Sequence, residues 1–94
     1  PMIIIAGYTR YDAGKRDDTV EAFRSMVERA RNQDGCLDFA ISSDAIDPER
    51  IDIFKCWRDQ TALNAWRKVA RGPRAKPHDA SVSLYRTDKA EKPF

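Results

Sequence analysis

Ile51-Asp52-Ile53-Phe54-Lys55-Cys56-Trp57-Arg58-Asp59 is where the period of this chain changes. Up to Trp57 the run is rich in β-branched and aromatic residues and alternates, as a strand does. Asp59 then stands as a helix N-cap. Ala62, Leu63, Trp66, Val69 and Ala70 follow at helical spacing, and Gly72-Pro73 ends the helix. A tryptophan at such a handover lies between sheet and helix. On the residues alone Trp57 is either plain core or the wall of a pocket.

Just upstream, Cys36 to Ser43 reads as a strand and Asp44 to Arg50 as a polar turn, so that Ile51 to Trp57 completes a hairpin. Alternation predicts Leu37, Phe39 and Ile41 on one face, with Cys36, Asp38, Ala40 and Ser42 on the other. On the next strand Ile51, Ile53, Lys55 and Trp57 share a face, opposite Asp52, Phe54 and Cys56. Further upstream, Met2 to Arg10 is a strand with apolar residues on both faces. Asp12-Ala13-Gly14 is a turn. Lys15 to Gln33 is a helix with Val20, Phe23, Val27 and Ala30 on one stripe and Met26 beside it. Gly35 is free to take a left-handed conformation after it.

Downstream, Arg74 to Asp79 is a loop and Ala80 to Thr87 a last strand. Asp88 to Phe94 is a polar tail, frayed or draped on a partner. The order β-α-β-β-α-β predicts one α+β, ferredoxin-like domain over residues 1–94, with a four-stranded antiparallel sheet and both helices on one face. The helix-free face keeps apolar groups such as Phe54 and Cys56. That predicts a homodimer, sheet against sheet.

Composition narrows the classes. The 94 residues are 41% hydrophobic and 34% charged, which fits a globular domain rather than a disordered chain. A net charge of +2 says little about partners. Its one concentration is Arg67, Lys68, Arg71, Arg74 and Lys76, with no acid until Asp79. This is a solvated helix end and loop, or an anion-attracting rim. No aromatic-studded basic strand accompanies it, so nucleic acid is not expected. Cys36 and Cys56 lack metal-ligand spacing and read as free thiols of a reducing compartment, the cytoplasm. Met2 to Ala6 is too short an apolar run for a signal peptide or a membrane span. No His/Cys/Asp cluster has metal spacing and no glycine-rich phosphate loop is present, so no cofactor is expected.

Trp57 and Lys55 share a strand face, Trp66 comes from the facing helix, and Phe39 and Leu37 come from the neighbouring strand. Together they could line a flat apolar slot for a planar aromatic ligand. Tyr8 or Arg10, at the end of the first strand, would supply orienting polar groups. A cation such as Lys55 beside a phenol favours the phenolate. Partial burial would also ease deprotonation of Lys55 and allow a base role. Each assignment has a plainer counterpart: core packing for Trp57 and Trp66, a snorkelling surface lysine for Lys55, a solvated loop for His78. His78 would contribute if its loop lids the pocket.

Three stretches carry a resemblance: Gly35-Cys36-Leu37-Asp38-Phe39, Asp47-Pro48-Glu49-Arg50, and Trp57-Arg58-Asp59-Gln60-Thr61-Ala62-Leu63-Asn64-Ala65-Trp66. With the Gly14-Lys15 turn before the first helix, their order resembles antibiotic-biosynthesis-monooxygenase (ABM) domains, from about Met2 to Tyr85. The resemblance implies a dimeric α+β barrel. Several such domains oxygenate aromatic polyketides or quinols with O₂ and no metal, flavin or haem; others degrade haem. It implies a monooxygenase acting on a small phenolic or quinol-like aromatic, with Trp57 and Lys55 catalytic and Tyr8, Arg10, Phe39, Trp66 and His78 binding substrate. Two departures stand out. Lys55 occupies the place, two before the tryptophan, where the pattern often has glutamate. Trp66 occupies the place, nine after it, where histidine is common. Haem-degrading members use a first-strand asparagine and a second-helix histidine, and this chain has neither, so haem degradation is not expected. The alternatives are a non-catalytic dimeric binding or stress-response domain, and isomerisation or decarboxylation of a polyketide-like substrate.

Overall fold

A computed structural model describes residues 1–94. The strands are β1 (Met2–Arg10), β2 (Cys36–Ser43), β3 (Arg50–Trp57) and β4 (Asp79–Thr87). All pair antiparallel in the order β2-β3-β1-β4, the ferredoxin-like arrangement. The helices are α1 (Ala13–Ala22), α2 (Arg24–Arg31) and α3 (Gln60–Val69). No helix is long and apolar enough to cross a membrane.

The single helix expected over Lys15 to Gln33 is two segments meeting at Phe23. There the backbone N–H is shared between Thr19 O (3.2 Å) and Val20 O (3.0 Å), so the turn tightens, while Val27 N still bonds Phe23 O (3.0 Å) and carries the axis on. Gly35 closes the segment at φ +82°, and a side chain there would also collide with Ala62 on α3. One glycine thus fixes both the turn and the distance between β2 and α3.

Alternation places Ile3, Ile5, Ile51, Ile53, Lys55, Trp57, Phe39 and Ile41 toward the helices. The core is Ile3, Ala30, Phe39, Trp57, Ala62, Leu63 and Trp66, with Ile5, Met26, Val27, Cys36, Ile41 and Ala70 packed against it. A register shift between Cys36 and Asp38 corrects the expected β2 pattern. The extra residue, Leu37, is left 53% exposed, and Cys36 turns to the core side. Leu37 is therefore not part of the slot proposed around Trp57.

The opposite face carries Ala6, Tyr8, Arg10, Asp52, Phe54 and Cys56 and no helix. β4, at the sheet edge, is exposed almost throughout, with Val82 and Leu84 outward on the helix side and Tyr85 on the other. Its pairing to β1 depends on Gly7, where φ is +150° and any Cβ would run into the Ser81 backbone oxygen. The tail beyond Thr87 forms no helix or strand.

Arg16 is a buried charge that sequence patterning gives no sign of. Its guanidinium donates from Nη1 to Asp47 O and Arg50 O, both at 2.8 Å, and from Nε to Asp17 (2.7 Å). It ties α1 to the β2–β3 turn.

Candidate functional site

β3 ends in a pair of inward residues, Lys55 and Trp57, because a period of two skips Cys56 to the other face. α3 begins at Asp59, whose carboxylate accepts from Ala62 N at 2.8 Å. That bond, foremost, holds the Asp59 carboxyl below its usual range. The cap fixes the helix phase, and the phase sends Leu63, Trp66, Arg67 and Ala70, an i, i+3, i+4, i+7 set, toward β3.

Between sheet and helices lies a cavity of about 280 Å³ lined by Ile5, Met26, Lys55, Trp57, Leu63, Trp66, Arg67 and Ala70. Trp57 is 0% and Trp66 6% exposed. The two indoles stack on each other, centroids 5.8 Å apart and planes inclined by 23°. A ring held between them would need about 7 Å, two contacts of ~3.5 Å each. A ligand therefore lies beside the pair and not between its members. Phe39 stands behind, edge-on to Trp57 at 6.4 Å and to Trp66 at 5.9 Å. It does not line the cavity but sets the angle of both indoles.

Three polar groups belong to the lining residues: the Trp57 indole N–H, Lys55 and the exposed Arg67. The Trp57 indole N–H is buried and has no acceptor. A buried donor left unpaired costs about 1–3 kcal/mol. Lys55 is half-buried and makes no ion pair; its Nζ sits 5.0 Å from the Phe39 ring centroid. Burial, and then repulsion from Arg67, push its ammonium below the usual lysine range. Both cysteines are free, and burial raises each thiol, which disfavours the nucleophilic thiolate. No three His, Cys, Asp or Glu side chains converge to hold a metal.

The residues singled out in the sequence fall into two groups. Lys55, Trp57, Trp66 and Phe39 come together. Tyr8, Arg10 and His78 do not join them. Tyr8 and Arg10 pair with Asp52 and Arg50 on the helix-free face, because Ile3 and Ile5 take the inward positions. Arg50 lies over the Tyr8 ring at 4.3 Å. Arg10 binds Glu49 (3.0 Å) and Asp47 (3.2 Å), and His78 Nε2 stands 3.4 Å from the same Glu49. None of the three can orient a ligand at Trp57; they lie roughly 20 Å along β1 from it. Arg67, Met26 and Ile5 line the cavity and were not picked out. Arg67 was legible as the i+4 partner of Leu63, but its charge hides it in a search for an apolar stripe.

The family model for antibiotic biosynthesis monooxygenase matches residues 2–71. This chain belongs to that family. Among solved structures, the ABM fold of this chain superposes on PA3566 of Pseudomonas aeruginosa with a TM-score of 0.73 at 24% identity, covering 94% of this chain and 95% of that one. It also superposes on the heme-degrader MhuD of Mycobacterium tuberculosis, a structure with two hemes bound in the active site, with a TM-score of 0.65 at 17% identity, covering 98% and 100%. At these identities the likeness speaks for the fold. An uncharacterized protein of Synechocystis is 23% identical over 62 residues, which are 66% of this chain and 42% of that protein's length. The ABM model covers β1 through α3 and so contains every residue of the Trp57 cavity, whereas β4 lies beyond it.

Proposed function

We propose that this ABM-family chain is a cofactor-independent monooxygenase that oxidises a small phenolic or quinol-like aromatic with O₂. The observation that carries the reading is the half-buried Lys55 ammonium, which makes no ion pair and stands beside Trp57 on a largely apolar cavity whose lining holds no acid. The cavity has two cations, Lys55 and Arg67, and no anion. A phenolate supplies the missing counter-charge. A ~150 Å³ apolar cavity holds benzene, so about 280 Å³ suits a bicyclic ring better than a tetrapyrrole.

Stabilising the phenolate makes the ring a better electron donor. The ionised substrate passes one electron to O₂, and the two radicals join as a C–O bond at a ring C–H carbon conjugated with the phenolate oxygen. The resulting hydroperoxide loses water: one oxygen stays as the new quinone carbonyl, and the other departs with the ring hydrogen and one proton. The substrate supplies all the electrons. Phe39 and Trp66 hold Trp57 in place, and Arg67 is the second cation at the cavity.

One feature favours the alternative, a dimeric domain that binds a similar ligand without turnover. The one histidine is remote from the cavity, so the proton must leave through Lys55 or water. Oxygen uptake by metal-stripped protein with a panel of reduced naphthoquinones separates the two. Uptake well above the spontaneous rate supports the oxygenase; saturable fluorescence quenching of the tryptophans without uptake supports the binder. In both readings the domain pairs through its helix-free face, where Phe54 is 40% and Tyr85 55% exposed. A monomer in sedimentation at micromolar concentration would sink that pairing.

A further inference from the structure

Arg74 and Lys76, the end of the basic stretch that the Trp57 cavity leaves unused, border a second hollow. A cavity of about 400 Å³ lies between the start of α1 and the loop leading to β4. Arg74, Ala75, Lys76 and His78 line it from the loop. Lys15 faces them from α1. Lys15, Arg74 and Lys76 make no ion pair anywhere in the protein, and Asp12 is the one acid on the wall. His78 is held by its backbone N–H, which donates to Arg10 O at 2.9 Å, and stands next to Glu49. Tyr11 is the buried member of the lining.

Scattered surface lysines usually find an acid nearby or point apart. Here three unpaired cations on two different elements border one concavity. Convergent cations over a hollow of this size raise the local concentration of anions, and the arginine fork matches the oxygens of a phosphate. The hollow is too large for a lone phosphate ion and takes a phosphate with a small organic group attached.

We infer that the cavity between α1 and the 74–78 loop is a binding site for a small organic phosphate, separate from the Trp57 cavity and independent of the activity proposed there. A small ligand is favoured over nucleic acid because the cations surround a hollow and no exposed aromatic platform lines it.

Backbone-amide NMR titration with ribose 5-phosphate and with inorganic phosphate, at ionic strength matched with chloride, tests this. The expected result is saturable shifts confined to Lys15, Thr19 and Arg74 to His78, stronger for the sugar phosphate. The double variant Arg74→Gln/Lys76→Gln should weaken binding about tenfold or more. Lys68→Gln/Lys92→Gln, which removes the same charge elsewhere, should change it by less than about twofold. Non-saturating shifts spread over Lys68, Arg71 and Lys92 would overturn the proposal, as would equal effects of the two double variants. A ten-nucleotide single-stranded RNA that binds the same amides a hundredfold more tightly would replace it with a nucleic-acid surface.

Discussion

The hollow beside Trp57 and the hollow beside Lys76 sit at opposite ends of β1 and are built in opposite ways. The first is cut into the core. Its walls are the buried Trp57, Leu63 and Trp66 with the half-buried Ile5, Met26 and Ala70, and its cations are two, Lys55 and the exposed Arg67. The second is laid on the surface. Its cations are exposed, and only Tyr11 is buried. Lysine therefore means different things in the two places. In water three ammonium or guanidinium groups cost little and wait for an anion. In the apolar wall one ammonium is already destabilised, and the site is tuned before any ligand arrives.

Trp57→Ala should break the comparison hardest. It removes a fully buried indole from the core and opens the cavity, so unfolding in denaturant should show a loss of about 3–5 kcal/mol. A loss under about 1 kcal/mol would mean that Trp57 is wall only and that the two hollows are more alike than the packing indicates. Lys55→Met comes next, with opposite sign. The folded-state pKa of Lys55 is lowered, so the cost of its buried charge is fully present below that value and fades as pH rises toward the unfolded value near 10.4. The variant should be more stable than the parent by up to about 1 kcal/mol near neutrality, discounted for partial exposure. That margin should narrow in melts run toward pH 10. A constant margin would show that the ammonium is not desolvated. The smallest effect belongs to the surface hollow: Arg74→Gln/Lys76→Gln should leave stability within about 0.5 kcal/mol in the same denaturant assay.

Much of this was legible because strand and helix periods are hard to counterfeit. The Ile51 to Asp59 run gave the handover, and the spacing of Leu63 and Trp66 gave the face that meets it. Three things were not legible, each for a physical reason. The bulge at Leu37 costs one residue of register, and nothing in Cys36-Leu37-Asp38 announces it, so alternation alone puts Leu37 toward the core and Cys36 outside. Chemistry groups Tyr8 and Arg10 with Trp57, although the inward positions of Ile3 and Ile5 send them to the far face. The indole stacking of Trp57 on Trp66 is a matter of rotamers, which spacing does not encode. The 74–78 hollow was half legible: the charges stood out in the sequence, while Lys15, sixty residues away, could be added only by the fold.

The Arg16 clamp carries a consequence for how this domain can change. The Asp44 to Arg50 turn looks like the natural place for an insertion, being polar and set at the end of a hairpin. Its length is fixed, however, by a guanidinium that reaches two of its carbonyls from α1, and Asp44 accepts from the amides of Ile46 (3.0 Å) and Asp47 (2.8 Å), which helps to hold its carboxyl at about 2. One residue more or less would strand a buried charge. A tag or peptide grafted into this protein belongs instead in the exposed tail past Thr87, where no side chain of the core keeps count.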